Sequence, residues 1–133
     1  MVEIRNMTKA RVPAALVKKI AEKVLAKEKT KKKEVSVVFV SPKTAKMLNT
    51  LYRGKTYAPN VLSFPVEELG LGEVVLCPAV IRKDAEKYGI TFKAELTRIF
   101  IHGLLHLVGY GHAKDADFKK MVRKEEQYLS LVS

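Results

Sequence analysis

Cysteine is nearly absent: Cys77 stands alone, so the chain has no partner for an internal disulfide. That suits a reducing compartment and excludes a small fold stapled by disulfides. Long apolar runs are missing too. No segment approaches the roughly 18 uninterrupted apolar residues of a membrane helix, and the opening MVEIRNMTKARV lacks the apolar core of a signal peptide. The expectation is a soluble cytoplasmic protein with no membrane partner. Acidic side chains are also scarce: 14 Asp and Glu face 25 Lys and Arg, a net charge of +11. Residues 1–33 hold eleven basic and three acidic residues, a local +8, and the remaining hundred carry +3. A basic surface draws polyanions, most often phosphate backbones. The alternative is a solvated lysine-rich helix and loop.

What is present suffices for one folded unit. About 47% of the 133 residues are hydrophobic, and a chain of this length buries roughly two-thirds of its unfolded surface. Residues 1–133 are read as a single domain without repeats. Residues 2–5 predict a short strand. Pro13 suits a first helical turn, and Leu16, Val17, Ile20 and Val24 recur at helical spacing. Residues 27–34 read as a charged loop and 35–40 as a buried strand. Ser41 and Pro42 form a helix start, with the helix ending before Gly54. Residues 61–64 and 73–77 predict two more strands around a turn at 67–72. Pro78 opens a helix closing at Gly89, and Thr91 caps the next, which runs to about Val108 with Gly109 as its stop. Glu95 in its first turn favours the helix dipole, and a last helix fits residues 115–131. The order β-α-β-α-β-β-α-α-α implies an α+β domain, a small mixed sheet with helices packed on it.

All three histidines fall within eleven residues, His102-Gly-Leu-Leu-His106-Leu-Val-Gly-Tyr-Gly-His112. His102 and His106, four apart on a helix, share one face, and two imidazoles at that spacing can reach one ion. Gly109 can take the left-handed conformation that turns the chain back and brings His112 round as a third ligand. The pattern H-x3-H-x5-H has the outline of the metzincin zinc motif. One position differs: zincins carry a general-base glutamate after the first histidine, where this chain has Gly103. Three nitrogen ligands leave a fourth position open, the mark of a catalytic Zn2+. Zinc lowers the pKa of its bound water to about 7, supplying hydroxide as nucleophile, and polarises a phosphoryl oxygen. Imidazoles accept other divalent metals as well. The alternative is two core histidines and an unrelated third.

At these residues the sequence resembles the YbeY endoribonucleases, bacterial metal-dependent proteins of ribosomal RNA maturation. The family segment of the type H-G-x-L-H-L-x-G-Y-D-H-x-x-D reads HGLLHLVGYGHAKD here, from His102 to Asp115. A second, of the type Y-R-x-K-x-x-P-T-N-V-L-S-F-P, appears as Tyr52-Arg53-Gly54-Lys55 and then Pro59-Asn60-Val61-Leu62-Ser63-Phe64-Pro65. A third, a Gly-Asp/Glu-hydrophobic strand, appears as Gly72-Glu73-Val74-Val75-Leu76. The resemblance makes His102, His106 and His112 the zinc ligands. It makes Arg53 the functional arginine, suited to bidentate hydrogen bonds with a phosphate; the alternative is a surface arginine at a helix end. Lys55 is a candidate phosphate contact or simply solvated. Asn60 and Ser63 match family positions and have structural alternatives in strand and turn.

There are departures from the family. Gly111 stands where the family usually has Asp before the third histidine, which removes a carboxylate able to orient a ligand. Pro59 stands where the family usually has Thr. Asp115 is a candidate ligand-orienting partner or a helix cap. Glu125 and Glu126 are expected to face solvent, and Cys77 to be a small buried residue.

The resemblance implies cleavage of single-stranded RNA, maturation of small-subunit (16S) ribosomal RNA, and ribosome quality control. Partners would be rRNA, the small subunit and ribosome-associated proteins. The proposed chemistry is attack by zinc-bound hydroxide, with Arg53 steadying charge; attack by the RNA 2′-hydroxyl stays open. Two other functions compete. A zinc peptidase or amidohydrolase would use the same frame, but Gly103 removes its base. A non-catalytic ribosome assembly factor would carry a structural metal.

Overall fold

A computed structural model describes residues 2–28, 34–65, 72–110 and 115–132, the side chains of 115 and 116 excepted. Nine elements follow in order: β1 (Val2–Asn6), α1 (Ala14–Lys27), β2 (Val35–Phe39), α2 (Pro42–Arg53), β3 (Val61–Pro65), β4 (Gly72–Leu76), α3 (Pro78–Tyr88), α4 (Phe92–Val108) and α5 (Asp115–Val132). The type and order match the expectation. The expected loop over 27–34 and the turn over 67–72 lie largely outside the described residues, but Gly72 opens β4 rather than closing a turn.

The four strands lie in the order β1-β2-β4-β3. β1 runs parallel to β2 and β2 parallel to β4, in register Val35↔Gly72 through Phe39↔Leu76. β3 runs antiparallel to β4, Val61 opposite Leu76. β3 is therefore an edge strand, and one side of it is left to line a site.

Alternation along the strands assigns their faces. Val35, Val37, Phe39, Val74 and Leu76 point into the main core, where α1 and α4 pack. Leu62, Val75 and Cys77 join Val40 and Ala45 in a second, smaller cluster on the other face, with Leu48 of α2 packed against it. Cys77 is the small buried residue expected, and burial pushes its thiol pKa up.

Helix ends follow the local chemistry. Ser41 caps α2, its hydroxyl accepting from the Thr44 amide at 3.3 Å, with Pro42 in the first turn. Thr91 caps α4 the same way, accepting from the Ala94 amide at 3.0 Å. Gly109 ends α4 at φ 114°, a left-handed conformation that a side chain would disfavour. Glu95 stands in the first turn of α4 as expected, and its carboxylate is in addition fully buried and held by Arg98 at 2.8 and 3.0 Å. Burial of a charge requires such a partner.

Candidate active site

α4 is the central helix. Leu96, Phe100, Leu104 and Leu105 bury one side of it, while His102 and His106 lie half-exposed on another. Gly103 permits this placement. A Cβ there would stand 2.9 Å from Val61 Cγ2 and 3.1 Å from Val74 Cγ1, so the helix packs against β3 and β4 closely enough that any Cβ would crowd the two valines. Ser63 fastens the contact by donating from Oγ to the Gly103 carbonyl at 2.9 Å. A glutamate at this position, as zincins have, would have to displace these valines.

The two histidine rings meet at 4.6 Å between centroids, nearly perpendicular, and their Nε2 atoms are 3.1 Å apart. Two nitrogens held about 2.0–2.1 Å from one tetrahedral ion would sit roughly 3.3 Å apart. The observed pair is within a few tenths of an ångström of that spacing. His102 Nδ1 lies 2.8 Å from Glu125 Oε1. A carboxylate only accepts, so Nδ1 donates, and a neutral His102 turns its Nε2 lone pair toward His106. This is the carboxylate–histidine arrangement that orients metal ligands. The donor set therefore fits a divalent cation at His102 and His106. His112, the expected third ligand, lies outside the described residues, as do Gly111 and the side chain of Asp115. Among the described residues no three metal-capable side chains converge on one point.

Glu125 corrects the expectation of a solvent-facing residue; Glu126 is exposed as expected. The signal was in α5 itself. Met121 and Tyr128 are buried, and Glu125 lies four residues after one and three before the other, hence on their face.

The histidines open onto a cleft of about 650 Å³, lined by Tyr52, Arg53, Asn60, Val61, Leu62, Ser63, Phe64, His102 and His106. Its far wall is the end of α2. Arg53 is exposed at that end, and its Nη1 donates to Asn49 Oδ1 at 3.4 Å. Asn49 is fully buried, and its Nδ2 donates to the Tyr57 carbonyl at 3.0 Å. One amide thus tethers both the loop after α2 and the arginine. Asn60 lines the cleft while donating to Asp84 Oδ2 at 3.3 Å, so Asn60 and Ser63 each have a structural bond as well as a place in the cleft. Lys55 is exposed on the loop and is not among the lining residues.

Glu28, at the end of α1, braces the chain just past the C-terminal end of α4, the end that carries His106. It accepts from Tyr110 at 3.0 Å, from Lys124 at 3.3 Å, and from Tyr128. Tyr110 stands two residues before His112. Burial pushes the Glu28 carboxyl pKa up, but the Tyr128 and Tyr110 hydrogen bonds and the Lys124 charge outweigh it and hold it below its ordinary 4.5.

Known proteins resemble this chain along most of its length. A family profile described as Endoribonuclease YbeY matches residues 3–133. Proteins of that name include one from Chromobacterium violaceum, 36% identical over 126 residues, which are 90% of this chain and 74% of that protein. One from Thermotoga neapolitana is 35% identical over 120 residues, 88% of this chain and 80% of that protein. One from Bdellovibrio bacteriovorus is 40% identical over 98 residues, 73% of this chain. The match spans 65% of that last relative, slightly under two thirds of its length. The solution structure of a Thermotoga maritima protein superposes with a TM-score of 0.73 at 34% identity, covering 99% of this chain and 89% of that one.

Proposed function

The chain belongs to the Endoribonuclease YbeY family, and on that premise we propose that it is a zinc-dependent, cytoplasmic endoribonuclease cleaving single-stranded RNA, with small-subunit (16S) ribosomal RNA as substrate and a place in ribosome quality control. The observation that carries the reading is the Nε2 pair of His102 and His106, 3.1 Å apart and oriented by Glu125, opening on the same cleft as Arg53.

His102 and His106, with His112 as third ligand, would hold the ion. When bound, such a cation supplies Lewis-acid polarisation of a phosphoryl oxygen and activation of water near neutral pH. Arg53 presents a planar fork of donors to the non-bridging oxygens of a phosphodiester, which fixes the scissile group and offsets charge developing on it. Asn49 limits where that fork points. Glu125 fixes the ring plane and proton position of His102. The net charge of +11 favours approach of a polyanion. Gly103 counts against the peptidase reading, since the position of the peptidase base is filled by the β3 contact.

The test is cleavage of a defined unpaired RNA by the zinc-loaded protein, with its duplex form as control. Cleavage of the single strand, abolished by chelator and by His106→Ala, supports the proposal. Full activity of His106→Ala, or turnover of peptides with RNA untouched, overturns it.

A further inference from the structure

The Tyr52 ring has no role in the reading so far. It stands on the last turn of α2 with 63% of the residue exposed, yet it lines the histidine cleft beside Arg53. Single exposed apolar residues are ordinary on a protein surface. Tyr52 differs in being braced: Phe64 of edge strand β3, half-buried and also in the cleft, meets it edge-on at 5.1 Å between centroids and 66° between planes. The contact steadies the tyrosine while leaving much of it open to solvent. A held aromatic with an open surface, next to a guanidinium, has the components of a single-strand nucleic-acid subsite, in which bases stack on rings and cations take the phosphates.

We propose that Tyr52, braced by Phe64, is a base-stacking platform for one nucleotide next to the phosphate held at Arg53. The inference rests on the proposed RNA substrate. It gives that site a physical ground for preferring single strands: a base already stacked within a duplex has no free face to offer Tyr52, whereas an unpaired base does. Arg53 and Tyr52 are neighbours in sequence, so one helix end would grip a phosphate and its adjoining base together. Stacking is tolerant of base identity, so the platform selects for strandedness rather than for sequence.

The test uses binding rather than turnover. A short fluorescein-labelled, unpaired RNA is titrated in EDTA with the full chain, by anisotropy. A second RNA of the same length carries abasic sites, keeping the phosphates and losing the bases. Tyr52→Ala is expected to bind the ordinary RNA about 5- to 150-fold more weakly, the range for losing one aromatic–base stack. Tyr52→Phe should keep wild-type affinity. The abasic RNA should bind wild type and Tyr52→Ala alike. The chain has no tryptophan, so Tyr52→Trp adds a lone reporter whose fluorescence should be quenched by the ordinary RNA and not by the abasic one; this variant keeps the test open if Tyr52→Ala fails to fold.

Equal affinity of wild type and Tyr52→Ala for ordinary RNA overturns the platform, as does an unquenched Tyr52→Trp. Either result leaves the proposed function standing if the wild type still cleaves RNA. Tyr52-dependent binding by a protein that cleaves no RNA overturns the proposed function instead and keeps the platform.

Discussion

His102 and His106 ride on a helix with ten buried residues, whereas Arg53 ends a helix with two, Ala45 and Asn49. The two walls of the cleft are thus held to different degrees. α4 is locked by its neighbours on several sides, by Gly103 against β3 and β4, by Glu125 behind His102, and by Glu28 on Tyr110. α2 lies over the smaller core, and the arginine at its end is tied to one buried amide, Asn49. The division suits the chemistry proposed. Metal ligands need sub-ångström placement before substrate arrives, while a phosphate-binding arginine can follow a flexible strand.

The largest effect should come from the exposed wall. Arg53→Ala is expected to lower kcat/KM for RNA cleavage by about 10²–10³-fold, the usual loss for a preorganised donor to developing charge, with metal affinity unchanged. Arg53→Lys should recover little of it, because an ammonium cannot reproduce the planar fork. Full recovery by lysine would reduce Arg53 to a point charge.

Next comes the rigid wall. Glu125→Ala should weaken zinc binding by about 10–100-fold, read by competition with a chromophoric chelator. Glu125→Gln should recover part of it, since its amide oxygen still accepts from His102 Nδ1. Unchanged affinity in Glu125→Ala would show that α4 alone orients the ligands and would remove the contrast between the walls.

A smaller effect is expected at Asn49. Asn49→Ala leaves the Tyr57 carbonyl without its side-chain donor, a loss of about 1–3 kcal/mol in unfolding free energy, and it frees Arg53. A raised KM with zinc affinity intact would confirm that the amide serves only the arginine wall.

The smallest concerns acid. The folded Glu28 pKa lies below 4.5, so its stabilising contribution is complete above that pH and is lost as pH falls through the folded value. Thermal midpoints should drop on acidification, and Glu28→Gln should show a shallower drop. Equal slopes would mean that other carboxylates dominate.

The same contrast sets how much of the molecule is legible in its sequence. Element order was legible because its signals are local: Ser41 with Pro42, Thr91, and Gly109 each act within a few residues. The histidine pair was legible because both members sit on one helix. The placement of β4 between β2 and β3 was not, since strand pairing depends on contacts distant in sequence. Asn49 carries no such signal, because a polar residue in an amphipathic helix usually faces water; its burial goes with the bonds it makes to Tyr57 and Arg53. The charge of Glu125 suggests a solvated residue, although its register with Met121 and Tyr128 marks an inward face. The sequence places Glu95 in the first turn of α4, and only the fold shows that it is buried against Arg98.

His102 and His106 are proposed to form part of a zinc site completed by His112. Zinc stoichiometry and X-ray absorption on the purified protein, wild type beside His106→Ala, test it most directly. The account predicts one zinc per wild-type chain, three nitrogen ligands from the protein with a non-protein oxygen in the remaining position, and loss of the bound zinc in His106→Ala. Zinc retained in His106→Ala, or a wild-type ion enclosed by four protein ligands, would contradict it.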